Sequence, residues 1–412
     1  MNIVFVINSY YPEMSAPAAC MDKYIQILKF EHSIDIINPL NRINPAPLND
    51  DLIRVHEVYS WLWKCRIYCE EKIRNKEHVG FYSFLMKAFK FKSFITSPFY
   101  YPSSMKWQLN KFSKVLEKIY LEKSIDVVIS VSDPICCALS VLKFKKRHPE
   151  VKWINCFMDP FTFQPSKYRY VIFKNLRREK NYRNEVEIYN TADFNLFTEE
   201  LYKMALSKFN QKPEKTYLMK YILNEIPSST VSTIHEAVDK IRMVYAGTFL
   251  KDKRNPKYCL SVLSQMPEVE LDMYIHFSNC DDVISQYLSK SIRRLSSVDR
   301  KRYCEIITNE YDILLNLGNN FSLQIPSKFY ELISTGRPIV NFYQLKDSQY
   351  DMIERYPLGL NVGLNEADAD IKILTFCKKM IGKRLSFKEV EQLFPEHSLE
   401  TQYTIIKKLI ES

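Results

Sequence analysis

Residues 311–343, YDILLNLGNNFSLQIPSKFYELISTGRPIVNFY, decide the fold. The run ILLNL at 313–317 is short and almost wholly apolar, as a parallel strand covered on both faces must be. A loop with Gly318, Asn319 and Asn320 follows, and Pro326-Ser327 then marks a helix start, because serine is a preferred N-cap. The helix is expected to run to Thr335 and to stop at Gly336, where glycine tolerates the left-handed conformation of a helix terminus. PIVNF at 338–342 supplies the next strand. Strand, helix and strand in this succession form the crossover unit of a parallel sheet.

The same alternation runs through both halves of the chain. In the C-terminal half, IRMVYA at 241–246 and LDMYIH at 271–276 also read as strands, with helices filling the gaps. In the N-terminal half, strands are expected at 3–7 (IVFVI), 34–37, 126–130 (DVVIS), 152–156 (KWINC) and 194–198 (FNLFT), and the composition changes after 217–222. The stretch 227–240, PSSTVSTIHEAVDK, is polar without an apolar period, the profile of a linker. The expected organisation is therefore α/β, with two doubly wound Rossmann-like domains facing a central cleft. The N-terminal domain spans 1–226, the linker 227–240 and the C-terminal domain 241–395. Residues 396–412 form a terminal helix placed to cross back to the first domain.

Composition narrows the function classes. In 412 residues, 46% hydrophobic and 26% charged side chains are ordinary for a globular protein with sizeable cores. Seven glycines occur and none forms a G-x-G-x-x-G or P-loop pattern, which argues against a nicotinamide dehydrogenase or a Walker-type NTPase. Ten cysteines include no C-x2-C pair, so neither a zinc ribbon nor a redox pair is expected, and no metal site is assigned. The opening MNIVFVINSYYPEM lacks a basic n-region, and no apolar run reaches the length of a membrane span, so a cytoplasmic location is expected. A net charge of +10 favours an anionic partner.

The helix opening at Ser327 carries the most specific chemistry. Its first turn presents backbone N–H groups and the positive end of the helix dipole, both attractive to phosphate, and Lys328 adds a full charge. Glu331 lies one turn further on, where a carboxylate can accept hydrogen bonds from vicinal hydroxyls. Local chemistry leaves a second reading equally open, in which Ser327 merely caps the helix and Glu331 favours its dipole. The segment 245–256, YAGTFLKDKRNP, adds a glycine turn at Gly247 and three cations, Lys251, Lys253 and Arg254, suited to a leaving diphosphate. An ordinary solvated basic loop is the competing reading.

These parts in this order resemble the donor-binding segment of retaining nucleotide-sugar glycosyltransferases of the GT-B fold, of the glycosyltransferase family 4 type that builds bacterial capsule and lipopolysaccharide. The resemblance rests on Asp312, Pro326, Ser327, Lys328, Glu331, Gly336 and Pro338. It implies that Glu331 binds the donor ribose and that Ser327 and Lys328 face the diphosphate, with Gly247 and the cations of 251–254 alongside. The family's first glutamate of an E-x7-E pair falls on Leu323, so Gln324 or Asn320 is assigned to the sugar in its place. The N-terminal half resembles the family more loosely. SYYPE at 9–13 matches a Tyr-Pro-rich loop, but Ser15-Ala16-Pro17-Ala18 stand where glycines are usual. Ser15 and Asp133 are placed on the acceptor side, and Asp159, in an Asp-Pro pair, is the catalytic candidate. The Asx-Pro turn is an equally good reading of that pair.

The resemblance implies transfer of a sugar, with retention, from a UDP- or GDP-sugar to a lipid-linked or polysaccharide acceptor in surface glycan synthesis, with no bound cofactor. A sugar-nucleotide epimerase and a non-catalytic binding protein remain the alternatives. Between residues 61 and 118 there are about three basic residues for each acidic one, interleaved with aromatics. Phe81, Phe84, Leu85, Ala88 and Phe89 recur at helical spacing with Lys87 and Lys90 beside them, as in a helix on an anionic membrane surface. Packing of these aromatics on the N-terminal sheet is the plainer reading. No nucleic-acid-binding motif accompanies the charge, so nucleic acid is not an expected partner.

Overall fold

The computed structural model describes residues 1–43, 45, 48–100, 106–132, 134–168, 171–227 and 240–412. The expected linker therefore lies almost wholly outside the described residues, as does Asp133. The chain divides into two compact units, Met1–Met219 with Tyr403–Ser412, and Lys220–Gln402.

The first unit is built on a seven-stranded sheet: β1 (Asn2–Val6), β2 (Ser33–Pro39), β3 (Ile53–Val58), β4 (Val127–Ser132), β5 (Lys152–Phe157), β6 (Phe194–Phe197) and β7 (Thr216–Leu218). Its spatial order is β3-β2-β1-β4-β5-β6-β7, and every pairing is parallel. The second unit carries β8 (Ile241–Phe249), β9 (Val269–Ser278), β10 (Ile292–Ser296), β11 (Ile313–Leu317), β12 (Ile339–Tyr343) and β13 (Gly359–Gly363). Its order is β10-β9-β8-β11-β12-β13, again all parallel. Both units thus repeat the doubly wound order, with a reversal between β1 and β4 in one and between β8 and β11 in the other. Such reversals open a crevice at the carboxyl ends of the strands, where ligands bind.

The central strands form where the sequence is continuously apolar: Ile3, Val4, Phe5 and Val6 are wholly buried, as are Ile313 and Leu314. Four strands escaped the pattern reading: β3 (IRVHEV), β7 (TYL), β10 (IRRLS) and β13 (GLNVG). All four are sheet edges. An edge is paired on one side only and tolerates charge and glycine, so its sequence loses the apolar signature of the centre.

Each sheet also carries a polar ladder across equivalent strands. Asn316 donates to Asn341 at 2.8 Å, and Asn341 donates to Asn361 at 2.7 Å, across β11, β12 and β13. In the first unit Ser130 donates to Asn155 at 3.0 Å and Asn155 donates to Asn195 at 2.9 Å, across β4, β5 and β6. Each amide satisfies its neighbour, which is the condition for burying polar groups at low cost.

Residues 220–226, assigned by sequence to the first domain, pack on the second unit. Tyr221 stacks on Tyr330 with centroids 4.7 Å apart, and the Leu223 N–H donates to the His397 carbonyl at 3.0 Å. At the other terminus the helix Leu399–Glu411 spans the division, and Tyr403–Ser412 belong with the first unit. Lys407 there pairs with Glu31 at 2.9 Å.

Candidate functional site

The helix Ser327–Ser334 follows β11 at the β8/β11 reversal. Phe329, Tyr330, Leu332 and Ile333 bury one face. Ser327, Lys328 and Glu331 are spaced three and four apart, which places them together on another face. Pro326, not Ser327, takes the capping position, and no side chain caps the first turn. The sequence reading that made Ser327 a local cap is corrected here, because proline ahead of it already fixes the extended entry conformation and Ser327 becomes the first helical residue. The first-turn amides and the dipole are therefore not satisfied by a side chain of the helix itself. Gly336 ends the helix with φ +68°, and a Cβ there would lie 1.9 Å from the Leu385 carbonyl oxygen.

Three loops at the carboxyl ends of β8, β11 and β12 are tied to one another beside this helix. After β8, the chain folds back at 250–254, with the Arg254 N–H donating to the Leu250 carbonyl at 2.6 Å. The Asn320 N–H donates to the Lys253 carbonyl at 2.8 Å, and its side-chain amide donates to the Asp252 carbonyl at 2.8 Å. Gln344, beyond β12, donates to the carbonyls of Gly318 at 2.8 Å and Lys253 at 3.2 Å. The Lys253 ammonium donates to the Gln324 side chain. Arg254 donates from Nη2 at 2.9 Å and from Nε at 3.2 Å to the buried Asn319, whose own amide donates to the Gln324 carbonyl at 2.6 Å. The guanidinium is thereby fixed in place.

The charged groups of the helix face complete the set. Lys328 reaches the Ala246 carbonyl at 3.5 Å and lies 4.6 Å from the centroid of the Tyr303 ring. Although much of its stem is open to solvent, burial around the ammonium pulls it below the ordinary lysine value, as do the charges of Arg300 and Arg254, with Glu331 opposing. Glu331 accepts from Arg300 at 2.8 Å through Oε1. Its Oε2 is buried, and the Tyr303 hydroxyl lies against the carboxylate. Burial, and then the Glu331 charge, push the Tyr303 phenol well above its usual range. Arg300 and Lys328 lie beside the Glu331 carboxylate, Arg254 lies within electrostatic reach of Lys328, and Lys253 holds Gln324 on the adjoining loop. That combination matches an anion with neighbouring hydroxyls.

Not every expected residue joins this set. Lys251 turns to Asp282, pairing at 2.8 Å with both side chains exposed. The space over Gly247 is filled by Tyr245, whose hydroxyl would lie 2.7 Å from an added Cβ. That hydroxyl donates to the Thr248 carbonyl at 2.9 Å, so the glycine admits the tyrosine ring. Asp312 begins β11 at the opposite end of the strand and is buried, holding the Arg242 N–H at 2.9 Å. Leu323 is half-buried. Arg300, Tyr303, Asn319 and Gln344 were missed as site residues. Arg300 had a faint signal, since Asp299 caps the short helix Arg300–Glu305 and a basic run follows.

In the first unit, Ser15 caps the helix Ala16–Leu28, accepting from the Ala18 N–H at 3.4 Å and donating to the Asn8 carbonyl at 2.8 Å. Its helix start is thus closed by its own side chain. Asp159 follows β5, on a loop anchored by Glu185, which accepts from the Thr162 N–H at 3.0 Å and from the Tyr189 hydroxyl at 2.8 Å. Burial pushes the Glu185 carboxyl up to about 7.

Among the described residues no group of three or more His, Cys, Asp or Glu side chains is placed to hold a metal ion. The Asp368-Ala369-Asp370 triplet opens the helix Ala369–Met380 beyond the edge strand β13 and is not part of the anion set. No helix of the described residues is long and apolar enough to cross a membrane.

No protein-family model matches the chain, and no curated protein matches it. Solved structures do. A sucrose-phosphate synthase from Thermosynechococcus elongatus aligns with a TM-score of 0.66 at 11% identity, covering 100% of this chain and 98% of that one. Anabaena HepE, solved in complex with UDP, aligns at 0.61 with 11% identity and full coverage of both chains. A UDP-GlcNAc 2-epimerase from Methanocaldococcus jannaschii aligns at 0.57 with 12% identity, again over 100% of each. At these identities the likeness shows the fold: two parallel-sheet α/β domains of GT-B type.

Proposed function

We propose that the chain transfers a sugar from a nucleoside diphosphate sugar to an acceptor hydroxyl, holding the donor on the second unit. The observation that carries this reading is the uncapped start of the helix Ser327–Ser334 at the β8/β11 reversal, with Arg254, Lys328 and Arg300 beside Glu331. The diphosphate faces the first-turn amides with Ser327, Lys328, Arg254 and Lys253. These groups neutralise charge that grows on the leaving phosphate as the glycosidic bond breaks, and they are in place before the reaction begins. Glu331 accepts the ribose hydroxyls, as the family resemblance implies. Gln324 and Asn320 lie on the sugar side, where Leu323 offers no carboxylate. UDP is the favoured nucleotide, supported by the UDP bound to HepE and the UDP-sugar named for the epimerase.

A lipid-linked or polysaccharide acceptor in surface glycan synthesis is the finer reading, with Ser15, Asp133 and Asp159 on the acceptor side. Asp159 then contacts the attacking hydroxyl, and retention of configuration follows the family resemblance. The reading extends to peripheral association with an anionic membrane surface.

Titration calorimetry with UDP tests the donor site. Glu331→Ala is expected to weaken UDP binding by about 1.5–3 kcal/mol, the range for a hydrogen bond to a charged group. Unchanged affinity for both UDP and uridine would defeat the assignment of Glu331. Product analysis with UDP-sugars separates the reactions. A transferase releases UDP with sugar joined to an added acceptor, whereas an epimerase converts the donor without one.

A further inference from the structure

The helix Val79–Tyr100 of the first unit is apolar on two sides. Its sequence, VGFYSFLMKAFKFKSFITSPFY, holds three lysines and no acidic residue. One side is bare: Phe81, Phe84, Phe91, Phe94 and Ile95 are each at least half exposed, Phe94 at 77%. Their spacing of three, seven, three and one residues keeps them on a single face. The other side, with Met86 and Phe89, lines a pocket of about 670 Å³ shared with the helices Trp61–Arg74 and Lys106–Lys123.

Trp63 and Trp107 form the opposite wall, with ring centroids 5.7 Å apart. The Trp63 indole N–H is already spent on the Leu40 carbonyl at 2.6 Å, so Trp63 offers its ring rather than a donor. Lys90, Lys92 and Lys106 also line the pocket, together with Arg66, which pairs with Glu70 at 2.9 Å. Among the described residues, none that lines the pocket is acidic. An apolar floor of this size under a cationic rim is complementary to an acyl chain carrying an anionic head.

We infer that this pocket takes one chain of a phosphate-headed membrane lipid, with the bare aromatic face of the same helix resting in the bilayer that supplies it. A helix with two apolar faces is stable only when both are covered. Charge selects the cover. A second copy of the chain would bring another three lysines against these three, whereas an anionic bilayer accepts the aromatics at its interface and the lysines at its headgroups. The inference rests on the membrane reading above for its bilayer half and uses a site separate from the donor site, so it and the donor assignment can fail separately.

Tryptophan fluorescence tests it on the full chain with Trp61→Phe, which leaves Trp63 and Trp107 beside the pocket and Trp153 in the core of the first unit. The probe is a short-chain phosphatidic acid brominated on one chain, used below its micelle concentration, because bromine quenches an indole only near contact. Saturable quenching is expected, with affinity about tenfold above that of the matched phosphatidylcholine. Filling the pocket with Ser93→Phe and Thr96→Phe abolishes the quenching, and Lys90→Glu with Lys106→Glu removes the preference for the anionic head. Phe84→Ser with Phe91→Ser keeps the quenching while reducing sedimentation with anionic vesicles. Absence of quenching in the parent, equal quenching by both lipids, or quenching that survives the filled and charge-reversed variants alike overturns the pocket assignment. Quenching without vesicle binding overturns the bilayer half alone.

Discussion

Lys328 stands where three influences meet: partial desolvation of an otherwise exposed side chain, the ring of Tyr303 beside it, and the charges of Arg254 and Arg300 around it. Its proton is held less tightly in the folded chain than in the unfolded one. Below the lowered folded value the penalty is constant, and it lifts as pH rises toward the ordinary 10.5. Lys328→Met keeps the stem on the tyrosine and removes the charge. The unliganded variant is expected to melt higher than the parent while binding UDP about tenfold more weakly, the cost of one charge-assisted contact. Loss on both counts would make Lys328 a structural residue. Glu185 shows the opposite sign. Its folded value of about 7 lies above the ordinary 4.5, so the folded state holds the extra proton between them. Stability should fall by roughly 3 kcal/mol as pH rises through that window, and Glu185→Gln should flatten the dependence, read by urea unfolding at its two ends. None of these environments is visible in sequence, where Glu185 is one charge among several in a polar helix.

At the scale of elements, the helix Ser327–Ser334 shows how a local motif and a distant contact share control. Its apolar face and its stop at Gly336 were legible, because proline, helical spacing and glycine are local signals. The reason no other residue can replace Gly336 was not: φ is +68°, and the Leu385 backbone closes on the missing side chain from about fifty residues away. Gly336→Ala is expected to cost well above 1 kcal/mol, since strain and clash add, and thermal unfolding measures it. The asparagine ladder carries a similar lesson. Asn341 reads as an interruption in PIVNF, yet it is wholly buried and bonded on both sides. Asn341→Leu takes one acceptor from the Asn316 amide, which keeps Gln349, and the donor from the Asn361 side-chain oxygen, at about 1–3 kcal/mol for each buried group left unpaired, read by urea unfolding.

For the molecule as a whole, the proposed donor site makes a prediction about location. Amide exchange on the full chain with UDP should slow at 247–254 and 318–331, at the carboxyl ends of β8 and β11. The helix Val79–Tyr100 should respond to anionic vesicles instead. Slowing confined to the first unit on adding UDP would place the nucleotide elsewhere. The sequence by itself determined the alternating fold, the central strands and the phosphate-suited helix, because burial on both faces and helix punctuation are written in consecutive residues. Edge strands escaped it, since an element paired on one side need not be apolar. Only the tertiary structure decided that Arg300 joins Glu331 while Lys251 leaves for Asp282, and that Gly247 is covered by Tyr245. Those choices depend on which loops meet at the reversal of a sheet, and that meeting is made by strands far apart in the chain.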